Sequence, residues 1–198
     1  MEMGWFLSML GFLWVAAVTP GPNNMLLTST AANFGFIRTT PVLVGVMLGM
    51  QVLLILVSLG VGSLLILFPS LHFTLKVLGS IYLLWIAWKI ATSRYAQLNT
   101  DTKVSPVSLF QAGALQFLNP KAWLMVLGAV SSFSLTDIYT ASIFVISATL
   151  AGVNLASGVI WTGFGSMIAL LLRSRRAWFI FNISMGILTA ACVIFIWL

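Results

Sequence analysis

The sequence predicts an all-α integral membrane protein, with six transmembrane helices arranged as two inverted three-helix repeats. The first observation is composition: the 198 residues are 61% hydrophobic and only 6% charged, whereas globular domains carry about 25% charged residues. The second is the presence of six apolar segments, each near the ~20 residues that a spanning helix needs. The third is that the first and fourth of these segments each contain a proline break, so each half of the chain has one broken helix.

The six apolar segments follow one another with short connections. We expect them at residues 5–30, 41–68, 71–90, 107–133, 138–172 and 177–197. Pro41, Pro69 and Pro106 are interpreted as segment boundaries, because proline is tolerated in the first turn of a helix. The only sizeable polar stretch, 93–106, is predicted to be a cytoplasmic loop that separates a first repeat, 1–92, from a second repeat, 107–198.

Positive charge is concentrated on one predicted side of the membrane. The connections after the first, third and fifth segments carry Arg38, Lys89, Arg94, Lys103, Arg173, Arg175 and Arg176. The opposite side holds Glu2, His72, Lys76 and Asp137. The positive-inside rule therefore predicts cytoplasmic basic loops and two periplasmic termini. The cations form no stripe interleaved with polar surface, so the expected partner is the lipid bilayer and no nucleic acid is expected.

The two breaks are polar clusters inside apolar sequence, Thr19-Pro20-Gly21-Pro22-Asn23-Asn24 and Asn119-Pro120-Lys121. Pro20 and Pro120 lie 100 residues apart. Proline removes a backbone donor and frees the polar groups of the preceding turn. In hydrocarbon such groups are tolerated only where protein buries them or a watery cavity faces them. Matched breaks in two halves point to the binding site of a secondary transporter.

A second resemblance between the halves supports duplication. Gly60-Val61-Gly62-Ser63 is echoed 103 residues later by Gly163-Phe164-Gly165-Ser166. Three spans per half is an odd number, so the second copy would enter the membrane inverted, which permits alternating access. Small residues such as Gly45, Gly49, Gly152, Gly158, Gly163 and Gly165 are interpreted as helix-packing positions.

Lys121 is the only charge predicted deep within a span, where a cation costs at least ~2.5–3.5 kcal/mol. It could anchor a substrate carboxylate or tie the freed carbonyls of a break, and the sequence leaves both open. Asn23, Asn24, Gln116, Asn119 and Asn154 add amides at membrane depth. The candidate substrate-binding residues are Pro20, Gly21, Pro22, Asn23, Asn24, Gln116, Asn119, Pro120, Lys121 and Asn154.

Several function classes are disfavoured by what the sequence lacks. The acidic residues Glu2, Asp101 and Asp137 all lie outside the predicted spans, so a buried carboxylate relay is absent. One histidine and one cysteine make a metal site or other cofactor unexpected, and no Walker-type loop is present. We expect no enzyme, although His72 with Asp137 would be the candidate pair for one. A passive channel and a non-transporting membrane subunit remain alternatives, because broken helices also line pores.

The Pro20-Gly21-Pro22-Asn23 and Asn119-Pro120-Lys121 motifs, with six spans in about two hundred residues, resemble the LysE/RhtB superfamily of bacterial amino-acid exporters. The resemblance covers nearly the whole chain. The segments 87–93 and 115–117 look closest to the branch that exports cysteine and O-acetylserine. The resemblance implies export of an amino-acid-like small molecule driven by the proton motive force, a bacterial inner-membrane location and a homodimer. It does not identify the coupling residue.

Overall fold

The computed structural model describes residues 2–61, 69–92, 106–172 and 174–197, and all regular secondary structure in these ranges is helical. The helices are α1 (Met3–Val18), α2 (Pro22–Phe34), α3 (Phe36–Ser58), α4 (Pro69–Ala91), α5 (Leu109–Leu118), α6 (Pro120–Phe133), α7 (Tyr139–Leu171), α8 (Arg175–Ala191) and α9 (Ile194–Trp197). A short 3-10 helix, Thr136–Ile138, precedes α7. The predicted loop 93–106 lies almost entirely outside the described residues, as do Gly62 and Ser63 of the first Gly-x-Gly-Ser copy.

Both predicted breaks are interruptions between helices. α1 and α2 meet at a bend of 53°, and a single residue, Asn119, separates α5 from α6. Among the described residues, Phe36–Ser58 and Thr136–Leu171 are each long and apolar enough to cross a membrane, and the bent α1–α2 pair would make a third such span. The described helices thus provide two or three candidate spans by length and composition, and the six-span count stays a prediction.

Contacts between helices give their relative directions. α3 runs parallel to α5, since Gly45 approaches Leu109 and Gly49 approaches Gly113. α4 runs antiparallel to both α5 and the α8–α9 segment, and α6 runs antiparallel to α1. α7 runs antiparallel to α3, because Tyr139 bonds to Ser58 and Ser147 bonds to Gln51.

These directions place several cations at one end of the molecule, which we call the basic end. Arg38 is in the first turn of α3, Lys89 in the last turn of α4, and Arg175 and Arg176 at the start of α8. The opposite end, where α1 starts and α3 finishes, we call the far end. Four of the seven cations expected on one side of the membrane thus lie at one end of the described structure, whereas Arg94, Lys103 and Arg173 lie outside the described residues.

The apolar core is divided into two clusters along the helix axes. The basic-end core contains Leu26, Leu27, Val42, Leu43, Val46, Leu83, Ile86, Ile90, Ala112 and Leu115. The far-end core contains Met9, Leu13, Ala17, Met50, Leu53, Leu54, Val57, Ala122, Met125, Val126, Ala129, Ile146, Leu150 and Val153. The two helix breaks lie between these clusters, so a site at the breaks has apolar packing on either side of it along the helix axes.

Glycines allow the closest helix contacts, as expected for membrane helices. A Cβ on Gly49 would lie 2.5 Å from the Gly113 carbonyl oxygen, and a Cβ on Gly165 would overlap the Thr28 carbonyl. Gly45 and Gly158 are similarly close to their neighbours. The packing interpretation is wrong for Gly152 and Gly163, since no atom of another described helix lies within 4 Å of a Cβ built there.

Pro41 does not mark a helix boundary, so that prediction was wrong. α3 begins at Phe36, because Gly35, with φ +83°, ends α2 and starts the next helix at once. Pro41 lies in the second turn, where the carbonyl of Ile37 loses its usual i+4 donor. Pro69 does begin α4, and Pro106 precedes α5. The first glycines of the two Gly-x-Gly-Ser copies differ in backbone conformation. Gly60 has φ +91° after the end of α3, whereas Gly163 lies inside α7.

Candidate functional site

The first break leaves the N-terminus of α2 without a capping side chain. Gly21 is the N-cap residue in extended backbone (φ −175°, ψ 178°), and Pro22 occupies the first helical position. The first N–H groups of a helix have no partner within the helix, and glycine has no side chain that could accept hydrogen bonds from them. The positive end of the α2 dipole therefore faces the break with its donors uncapped.

The C-terminal end of α1 is held by side chains from α2 and α7. Asn24 donates from Nδ2 to the carbonyls of Ala17 and Thr19, each at 2.9 Å. Ser157 Oγ donates to the Ala17 carbonyl at 2.9 Å, and Trp161 Nε1 donates to the Val18 carbonyl at 3.2 Å. The carbonyls freed by the break are thus satisfied by polar groups, as hydrocarbon surroundings demand.

The helix that begins at the second break, α6, has an N-cap side chain, whereas α2 at the first break has none. Asn119 is the N-cap of α6, and its Oδ1 accepts from the Lys121 backbone N–H at 3.1 Å. Pro120 occupies the first helical position of α6, as Pro22 does in α2. The helical positions therefore pair Pro120 with Pro22, and not with Pro20 as the sequence offset of 100 suggested.

Lys121 reaches from the second break to the first. Its Nζ donates to the carbonyl of Thr19, and the Pro20 carbonyl lies 3.5 Å away. A Cβ built on Gly21 would lie 3.0 Å from the same Nζ. The ammonium group thus sits beside the uncapped N-terminus of α2, and two positive features converge on one place. Such a place favours an anion.

The amides of the two breaks bind one another. Asn23 and Gln116 exchange two hydrogen bonds, at 2.9 Å from Asn23 Nδ2 and 3.1 Å from Gln116 Nε2. Asn119 Nδ2 donates to Asn23 Oδ1 at 3.3 Å, and Gln116 is fully buried with a further bond to the Ala112 carbonyl. In this conformation these amides link the halves of the chain, and Gln116 has no donor left for a ligand.

A small cavity of about 30 Å³ lies where the breaks meet, between the basic-end and far-end cores. It is lined by Ala16, Ala17, Gly21, Asn23, Asn24, Leu27, Val46, Met50, Asn119, Lys121, Ala122, Met125, Asn154, Ser157 and Gly158. This volume has room for a water molecule or two. It is too small for an amino acid, so binding one would require the surrounding helices to separate.

The cavity brings together most of the predicted site residues. Gly21, Asn23, Asn24, Asn119, Lys121 and Asn154 line it, whereas Pro20, Pro22, Gln116 and Pro120 do not. Sequence reasoning missed Ser157 and the apolar wall that includes Met50 and Met125. Ser157 follows Asn154 by three residues and therefore shares its helix face, a signal that was available in the sequence. The sequence around Met50 and Met125 did not indicate that these residues line a site.

Asn154 differs from the other cavity amides in its hydrogen bonding. Its Nδ2 is buried and has no partner in the part of the chain that the structure describes. Asn23, Asn24 and Asn119 all donate from Nδ2 to groups of the protein. A buried donor left unpaired costs ~1–3 kcal/mol. Pairing this donor with an acceptor on a bound ligand would recover that cost.

Comparison with known proteins identifies the family of this chain. The model of the LysE type translocator family matches residues 14–196. The chain belongs to the LysE translocator family. Cysteine/O-acetylserine efflux proteins from Escherichia coli and Shigella flexneri are each 34% identical to it over 181 residues, covering 91% of this chain and 91% of theirs. No solved structure matches this LysE-family chain.

Membership places the protein among membrane transporters that export small molecules. The family is one of translocators and its curated relatives are efflux proteins, so the enzyme interpretation that rested on His72 and Asp137 gains no support. The side chain of His72 lies outside the described residues. Asp137 lies in the 3-10 turn before α7, away from the cavity.

Proposed function

We propose that this LysE-family protein is a secondary exporter that carries small neutral amino acids, cysteine and O-acetylserine among them, out of the cytoplasm by alternating access. The substrate binds where the two helix breaks meet. The observation that carries this proposal is the position of the Lys121 ammonium beside the uncapped N-terminus of α2. An amino acid is a zwitterion, and this site offers a matching group for each of its charges.

The carboxylate would bind between Lys121 Nζ and the first N–H groups of α2. Charge-assisted hydrogen bonds of this kind are stronger than neutral ones, and the helix dipole adds to them. The α-ammonium group would replace Lys121 on the carbonyls of Thr19 and Pro20. Binding would thus move Lys121 from a backbone carbonyl to the substrate, which combines the two roles that the sequence left open.

The side chain of the substrate would be small and uncharged. None of the described residues that line the cavity is acidic, so a cationic side chain would find no counter-charge there. The cavity has an apolar wall, which is formed by Ala16, Val46, Met50, Ala122 and Met125. Burying an unpaired charge against such a wall is costly. The names of the curated relatives, cysteine/O-acetylserine efflux proteins, agree with this substrate class.

Alternating access is supported by how the two halves pack. α3 packs against α5 and α6, the broken helix of the other half, and α7 packs in the same way against α1 and α2. α1 and the α5–α6 segment run in opposite directions, as an inverted repeat requires. We infer six spans in two repeats, 1–92 and 107–198, joined by a cytoplasmic loop at 93–106.

The two cores would serve as the two gates. The cavity is lined by Leu27 and Val46 of the basic-end core and by Met50 and Met125 of the far-end core. Separation of one core at a time would open the site to one side only. The positive-inside rule makes the basic end cytoplasmic in a bacterial inner membrane and both termini periplasmic. A homodimer is compatible with a site of this kind in each copy.

Counterflow in proteoliposomes tests the proposal. Vesicles loaded with unlabelled O-acetylserine are expected to take up labelled O-acetylserine transiently above equilibrium. The reason is that a carrier changes conformation faster with substrate bound than when it is empty, so it exchanges internal for external substrate. Protein-free vesicles and vesicles without internal substrate are the controls. Equilibration without overshoot would indicate a passive channel, and no uptake above the protein-free control would indicate that O-acetylserine is not transported.

A further inference from the structure

Asn154 carries a buried hydrogen-bond donor that is left unused by the part of the protein that the structure describes. The Nδ2 group has no partner among the described residues, and the residue lines the cavity from α7. Every other amide that lines the cavity donates from Nδ2 to a protein oxygen: Asn23 to Gln116, Asn24 to Ala17 and Thr19, and Asn119 to Asn23. Among the described amides that line the cavity, the unpaired donor is therefore found on the wall formed by α7.

That wall is distinct from the place assigned to the zwitterion. Lys121, Thr19, Pro20 and the start of α2 belong to the two breaks, and they provide donors for a carboxylate and acceptors for an ammonium group. Asn154 lies on α7, outside both breaks. Once the zwitterion is bound at the breaks, the remaining part of an amino acid that could meet Asn154 is its side chain.

We propose that Asn154 determines specificity by donating a hydrogen bond to an oxygen of the substrate's side chain. This inference rests on the proposed function and deepens it. The preferred substrates are small amino acids with a hydroxyl or ester oxygen, and apolar isosteres are disfavoured because they leave the Asn154 donor buried and unpaired. A thiol is a weaker acceptor than oxygen, so cysteine gains less from Asn154 than serine or O-acetylserine does.

A competition experiment measures this selectivity separately from transport. Wild-type proteoliposomes carry out counterflow of labelled O-acetylserine while unlabelled serine or 2-aminobutyrate competes. These two competitors differ by a hydroxyl in place of a methyl group. We expect serine to compete about tenfold better in the wild type, which is the scale of one net hydrogen bond. The ratio of the two inhibitory concentrations is the readout, and it does not depend on the amount of active protein.

Asn154→Leu, which keeps the same number of side-chain heavy atoms in a similar branched shape but lacks the donor, is expected to bring this ratio close to one by weakening the competition by serine. Thr162→Val is the matched control. Thr162 lies on the same helix and has a buried Oγ1 without a partner in the described ranges, but it does not line the cavity. Its substitution should keep the wild-type ratio. Asn154→Ser, a smaller and milder change, is expected to give an intermediate ratio and provides the readout if the leucine variant does not fold.

Three results would overturn the assignment: a wild-type ratio near one, a full ratio in the Asn154 variants, or an equal weakening of both competitors. Equal weakening would mean that Asn154 only supports the cavity. Failure of the proposed function looks different, because the wild type would then show no counterflow of O-acetylserine at all.

Discussion

Lys121→Met is expected to lower efflux by about tenfold to a hundredfold while the protein still inserts in the membrane. A hydrogen bond to a charged group is worth ~1.5–3 kcal/mol, and methionine fills similar space without burying a charge. The measurement is efflux of labelled O-acetylserine from loaded cells, normalised to the amount of protein in the membrane. Lys76→Met is the matched control, because Lys76 lies on α4 and its Nζ is near the Trp197 ring, outside the cavity.

Gly21→Ala tests the same position without removing the charge. The backbone at Gly21 is extended, so alanine introduces no conformational strain. Its Cβ would come within 2.9 Å of Lys121 Cδ and 3.0 Å of Nζ, which would push the ammonium away from α2. We expect a smaller but clear loss of efflux. Gly11→Ala, with nothing within 4 Å of the new Cβ, should leave efflux unchanged.

The alternative role for Lys121 is a structural tie to the Thr19 carbonyl. If Lys121 serves only as this structural hydrogen bond, Lys121→Met lowers the thermal stability of the purified protein, while the folded fraction transports at the wild-type rate. The binding role predicts slow transport per folded molecule. Wild-type efflux per folded molecule in the Lys121→Met variant would therefore contradict the proposed site.

Gly165→Ala is expected to destabilise the fold strongly. The added Cβ would overlap the Thr28 carbonyl on α2, and backbone atoms cannot move aside as the end of a side chain can. Overpacking of a well-packed interior costs ~1–3 kcal/mol and occasionally more. The expected result is a lower melting temperature in detergent and less protein in the membrane.

Gly163→Ala is the matched control for this substitution. Gly163 lies two residues earlier on α7, and within the described ranges no atom of another helix is within 4 Å of a Cβ built there. Alanine favours the helix over glycine by about 1 kcal/mol, so this variant should be as stable as the wild type or slightly more so. Equal melting temperatures for the two variants would mean that α2 and α7 do not pack as closely as the structure has them.

The positions of the breaks could be predicted from sequence because proline acts locally. Pro22 and Pro120 remove a backbone donor wherever they stand, and each begins a helix. Pro41 shows the limit of this reasoning. Its effect depended on the neighbouring Gly35, whose positive φ moved the start of α3 five residues earlier. A proline pattern alone does not reveal which of two adjacent residues ends a helix.

The composition of the cavity could be predicted only in part. Lys121 and the amides were found because polar groups are conspicuous in apolar sequence. The pairing of those amides could not be found, since Asn23 and Gln116 are 93 residues apart and meet only through the packing of the two halves. For the same reason the sequence did not show that Gln116 is fully engaged while Asn154 has an unused donor.

The most direct test of the central claim, that the substrate carboxylate binds between Lys121 and the start of α2, is competition by an analogue without the carboxylate charge. Counterflow of labelled O-acetylserine is measured while unlabelled O-acetylserine or its carboxamide competes. The acid is expected to compete at least about tenfold better than the amide, because the amide loses a charge-assisted bond. Lys121→Met is expected to narrow this difference between acid and amide. Equal competition by acid and amide in the wild type would mean that the carboxylate does not bind at this place.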